Sequence, residues 1–180
     1  DGTYTGFGNK NLDYSGKQIS VVSENGNTAC VIDCENDGHG FHFHNFEGPG
    51  SILQGLTITN GNVADFNGGA ILCEESSPKI TDCVISNNSS NINGGGIYMF
   101  MSSPTISACT IIDNTSPDGT GIHMGMYSSP TITSSFISNN SRRGIMCRDF
   151  CSPTIQDCVI SYNSGGGVFV HTGCNPTITN

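Results

Sequence analysis

Six side chains recur in one register of this chain with types suited to binding a sugar: Glu74, Tyr98, Phe100, His123, Arg148 and His171. Aromatic rings stack on sugar faces, while a carboxylate, imidazoles and a guanidinium bind hydroxyls. If the six share a face, they form a saccharide groove and are its expected ligand-binding set. Catalysis asks for more. Hydrolysis of a glycosidic bond needs two carboxylates across it, at about 5–9.5 Å. Glu74 is the only acid in register, with Glu75 and Asp149 at the strand edges. No catalytic residue is therefore assigned, and the chain is read as non-catalytic. His42 and His44, with Glu74 beside His44, supply the imidazole and carboxylate ligands that suit Zn²⁺. They are the transition-metal candidate, although two solvated histidines on a strand explain the pair equally simply. Asp33, Glu35 and Asp37, with Gly38 sixth, follow a calcium loop until position twelve, where His44 stands in place of the bidentate Glu. Ca²⁺ is thus the only other cofactor suggested, and no cofactor is the expectation.

The elements that must position these residues follow from a repeat. Pro78, Pro104, Pro130, Pro153 and Pro176 each open a Pro-x-Ile unit at spacings of 26, 26, 23 and 23 residues. A fixed period in this range marks a repeat architecture. Within a unit, apolar residues alternate in stretches too short for a helix, broken by Gly, Ser, Pro or Asn. Three short strands per turn describe one coil of a β-solenoid, each strand pairing in parallel with its equivalent one rung away. Seven first strands are expected, with inward pairs running from Ile19/Val21 and Phe41/Phe43 through Ile97/Met99 to Val168/Val170, at intervals of 22 to 30 residues. Second strands contribute Leu53, Ile80, Ile106, Ile132, Ile155 and Ile178, and third strands contribute Ile58, Ile85, Ile111, Ile137 and Ile160. Asn88, Asn114, Asn140 and Asn163 fall in register after the third strand, where left-handed turns and stacked amides suit asparagine.

The motif P-T-I-x-x-C-x-I-x-x-N followed by G-G-G-I resembles the right-handed parallel β-helix repeat family with pectate-lyase-like coils. The likeness covers residues 40–180 strongly and 1–39 weakly, and Asp1–Gly6 resembles the entry into such helices in secreted bacterial proteins. It implies an all-β, right-handed parallel β-helix of about seven rungs forming a single domain over 1–180, with irregular first coils at 1–39. It also implies that substrates lie along the first-strand face. The acidic cluster of polygalacturonase-like enzymes and the acid-lined Ca²⁺ cradle of the lyases have no counterpart here. Fold therefore outruns function, since such coils serve lyases, hydrolases, adhesins and structural repeats alike.

Six Lys and Arg against 15 Asp and Glu leave a formal charge of −9, which argues against a nucleic-acid partner. No apolar run approaches a membrane span. Among nine Cys, Cys83, Cys109 and Cys158 share an inward column with Ser135 and read as buried small hydrophobes. Cys151 and Cys174 both lie two residues before a rung proline; stacking at roughly 5 Å makes them the expected disulfide. No amphipathic helix caps either end, which suggests a segment of a longer chain or units that stack end to end into a filament. The expected function is that of a secreted or cell-surface structural or adhesive module, partnered by an extracellular polysaccharide or a cell-surface molecule. A polysaccharide lyase or glycoside hydrolase, and a subunit of a head-to-tail filament, are the alternatives.

Overall fold

Short alternating strands broken by glycine and proline have no apolar face wide enough to bury alone, so each rung must stack on its neighbours. The computed structural model describes all 180 residues and shows that stack. Three parallel sheets run along the solenoid, with six, seven and seven strands. The first sheet comprises Phe41–Phe43, Ile71–Glu74, Ile97–Phe100, Ile122–Gly125, Ile145–Cys147 and Val168–Val170. The second starts at Ser20–Val22 and ends at Thr177–Thr179, and the third runs from Gly2–Tyr4 to Val159–Ser161. The inward isoleucine columns of the second and third sheets join like to like: Ile106 lies between Ile80 and Ile132, and Ile111 between Ile85 and Ile137. The columns merge into one core of 28 buried residues.

The first rung departs from expectation. Ser20–Val22 pairs with Ile52–Gln54, so Val21 stacks on Leu53 in the second sheet and not on Phe41 in the first. The first sheet begins at Phe41, with Leu12 contributing only an isolated bridge beside it. Tyr14 explains the shift. Its ring packs edge-on against Phe41 and Phe43, and its hydroxyl donates to the Ile52 carbonyl at 3.0 Å. An aromatic plug fills the space that a regular first strand would occupy.

The asparagine ladder forms as expected, with one change in its turn. The Asn88, Asn114 and Asn140 backbone N–H groups donate to Oδ1 of Asn114, Asn140 and Asn163 at 3.0–3.1 Å. The left-handed residues are those just before, namely Asn87, Asp113, Asn139 and Tyr162, with φ of 53–57°. The ladder side chains thus sit inside the turn while their predecessors carry its strain. A second column precedes the first strand: Gly96, Gly121, Gly144 and Gly167. A Cβ at Gly121 would lie 2.5 Å from the Gly144 carbonyl oxygen. Gly121→Ala is expected to cost about 1–3 kcal/mol, by overpacking, in a denaturant titration. Ala70 occupies the same column at the Gly40 end, where rungs are less regular.

A third ladder lies two residues before each proline. The Ser76 N–H donates to Ser102 Oγ at 3.0 Å and the Ser102 N–H to Ser128 Oγ at 3.2 Å. Cys151 and Cys174 continue this column. The expected disulfide between them is not formed; all nine cysteines are free thiols. The Cys151 N–H donates to Cys174 Sγ at 3.3 Å, while the Cys151 thiol turns to the Arg148 carbonyl. Stacking brings the two residues together as foreseen, but Cys174 Sγ takes the place of a serine oxygen as acceptor for the N–H one rung back. Cys151→Ser is accordingly expected to change stability by less than about 0.5 kcal/mol, measured by thermal melting.

Candidate functional site

The outward positions of the first sheet fall into two tracks. The inner track reads His42, Leu72, Tyr98, His123, Met146 and Phe169 along the ladder. It is not the open strip expected. Leu72, His123 and Met146 are each only 2% exposed. The connection from third to first strand folds over them: a Cβ on Gly119 would lie 2.5 Å from His123 Nδ1 and 2.7 Å from Met146 Cβ. His123 is therefore withdrawn from the ligand-binding set, and its Nδ1 is buried without a hydrogen-bond partner. Burial pushes its imidazole down to about 4, against the opposing pull of Asp118. Tyr98 is half-buried and packs on the His123 ring at 5.2 Å.

The other expected residues divide into two places. Arg148 bonds across to Asp118 at 3.4 Å, and Asp118 also pairs with Arg143, whose guanidinium lies 4.2 Å over the Phe169 ring. That cluster is internally paired. His171 is exposed on the last coil, away from the others. Glu74 and Phe100, by contrast, are register neighbours, and with His44 and Glu75 they line a cavity of about 320 Å³.

Glu74 meets a different histidine from the one expected. His42 Nε2 lies 2.8 Å from Glu74 Oε2, while His44 Nε2 turns to Asp13 Oδ2 at 3.3 Å. The two imidazoles stack at 4.2 Å, so each faces its own carboxylate. As a metal site the trio His42, His44 and Glu74 does not converge, and no three His, Cys, Asp or Glu side chains group to hold an ion. The calcium-like loop is likewise divided among other partners. Asp33 accepts from the Glu35 N–H and from Asn60 Nδ2, both at 2.9 Å, and Asp37 pairs with Lys10 at 2.9 Å.

Beyond the His42–Glu74 pair lies a larger cavity of about 490 Å³, lined among others by Asp37, His39, His42, Asn62, Asp65 and Phe66. Both volumes fall in the range of small-ligand sites. His39 is 7% exposed; its ring lies 5.7 Å from that of His42 and 6.0 Å from that of Phe66, which itself is largely exposed. Strand periodicity did not point to this cavity, because His39, Asp65 and Phe66 stand on loops. One signal was available: the interval from Phe41 to Ile71 is the longest between first strands, and residues 62–66 within it form one wall of the cavity.

Glu47 was also missed. It lies two residues before Pro49, at the head of the serine column, and is 1% exposed. Burial pushes its carboxyl up, but N–H donation from Gly16 at 2.8 Å and Asn45 at 2.9 Å, with the Ser76 hydroxyl at 2.9 Å, holds it below the usual range. Glu47 thus accepts the last hydroxyl of the serine column.

Three parallel sheets wound around one core define a parallel β-solenoid protein. The model of the right-handed β-helix region matches residues 54–180. That is well over half of the chain, which belongs to this right-handed β-helix family. No curated protein and no solved structure matches it.

Proposed function

We propose that this β-helix is a non-catalytic module of a secreted or cell-surface protein, laying an extracellular polysaccharide across the first sheet at the His42–Glu74 pair. One observation carries the reading: two cavities adjoin at that pair, one walled by Phe66 and the other by Phe100. The pair of phenylalanines offers faces for successive sugar rings, and His42, His44 and Glu74 offer hydroxyl partners between them. Glycan-array screening followed by calorimetry tests it. Phe66→Ala and Phe100→Ala are each expected to weaken binding about tenfold, a typical loss for an aromatic anchor. A bound glycan indifferent to both changes would refute the groove.

A catalytic reading draws on the 2.8 Å His42–Glu74 contact, because a carboxylate beside an imidazole is a general acid–base arrangement. Reducing-sugar release by the wild type, lost in Glu74→Gln, would replace the binding module with an enzyme.

A further inference from the structure

The hydrogen-bonding groups of the larger cavity are unevenly matched. His39 Nδ1 lies 2.6 Å from the Gly68 carbonyl oxygen, which can only accept, so Nδ1 carries the ring proton. In the neutral ring Nε2 is then an acceptor, and burial favours that neutral form, although the Gly68 carbonyl opposes it. Nε2 makes no hydrogen bond within the molecule, on a side chain more than nine-tenths buried at the cavity wall. The atom is open to the cavity and has no protein donor, so its natural complement there is a ligand N–H or O–H.

Charge narrows the choice. Asp37 and Asp65 line this cavity, Glu74 and Glu75 line its neighbour, and neither is lined by Lys or Arg. Lys10 neutralises Asp37 from outside, at 2.9 Å, and also reaches Glu35 at 3.8 Å. The Asp65 carboxylate, which lines the cavity, has no ion pair and accepts no side-chain or backbone hydrogen bond. A uronic acid would bring more acceptors and a charge of the same sign. An ammonium brings three donors, the opposite charge, and attraction to the Phe66 ring face.

We infer that the groove selects a polysaccharide with free amino groups, such as unacetylated hexosamine units, seating an ammonium among His39 Nε2, Asp65 and Phe66. This rests on the carbohydrate-binding reading above. It departs from the acidic substrates that pectate-lyase-like coils bring to mind, and it assigns specificity to residues 62–66 and to His39.

Calorimetry with four hexamers at fixed ionic strength tests it: glucosamine, N-acetylglucosamine, galacturonate and lysine. The glucosamine oligomer is expected to bind at least about tenfold tighter than the N-acetylated one, with galacturonate weaker still. Asp65→Asn should bring the ratio of the first two towards one. Preference for the acetylated or the acidic oligomer overturns the amine site, while the groove itself survives if Phe100→Ala still weakens that binding. Equal affinity for the lysine hexamer reveals general attraction to cations and also overturns it. Failure of every glycan to bind removes both readings.

Discussion

Lowering the pH from 7 to 4 is expected to strip about 3 kcal/mol of stability from this protein through His123. The folded imidazole titrates at about 4, because burial under Gly119 excludes the charged form; Asp118 and Asp149 oppose this, and Arg148 adds to it. Unfolded, the same group titrates near 6.5. Between those values the unfolded chain binds a proton that the folded one refuses, so stability is complete above about 6.5 and falls as the pH drops towards 4. His39, also held below its ordinary value by burial, contributes in the same direction. Asp13 and Glu47 are held low in the folded state, so their losses begin as the pH falls into the ordinary carboxyl range and grow below it. Denaturant titrations at half-unit pH steps measure the effect. In His123→Phe, which keeps an aromatic ring on Tyr98, the slope from 6.5 to 4 should diminish by about one proton. An unchanged slope would show that His123 is protonated in the folded protein.

Asn114→Leu is expected to cost about 3–5 kcal/mol. Asn114 is fully buried, and its Oδ1 accepts both the backbone N–H and Nδ2 of Asn88 at 3.0 Å. Its Nδ2 donates to the Ile85 carbonyl and to Asn140 Oδ1, also at 3.0 Å. Leucine matches the side chain roughly in size but leaves the Asn88 N–H without an acceptor in the core. Each orphaned buried group costs about 1–3 kcal/mol, and two rungs are affected at once. The left-handed turns at Asn87 and Asp113, with φ of 57° and 56°, lose the contact that holds them. Chemical denaturation compared with Ile106→Ala, which leaves a core cavity and should cost about 2–5 kcal/mol, separates the ladder from simple packing. A loss below about 1 kcal/mol in Asn114→Leu would show that the ladder bears little of the turn's strain.

The periodic part of this protein was legible because its physics is local and repeated. Pro-x-Ile and the alternation around it determined the parallel β-solenoid, the inward isoleucine columns and the asparagine ladder, since stacking like on like leaves only one register per rung. Where the period breaks, the same reasoning fails. Ile19 and Val21 alternate like a first strand, yet they belong to the second sheet, because Tyr14 fills the place beside Phe41 and no proline marks the rung. Cys151 and Cys174 were rightly placed on adjacent rungs, but only their surroundings show the Cys174 sulfur accepting the Cys151 N–H as a serine oxygen does elsewhere in the column. The tertiary structure alone decided which outward residues meet solvent. Alternation sends a side chain out of the coil without saying whether a loop then covers it, and Gly119 covers His123 while Glu74 and Phe100 stay open. It also brought His39, Asp65 and Phe66 to the His42–Glu74 pair, from loop positions that follow no period. The repeat specifies the scaffold; the interruptions of the repeat, folded back over it, make the groove.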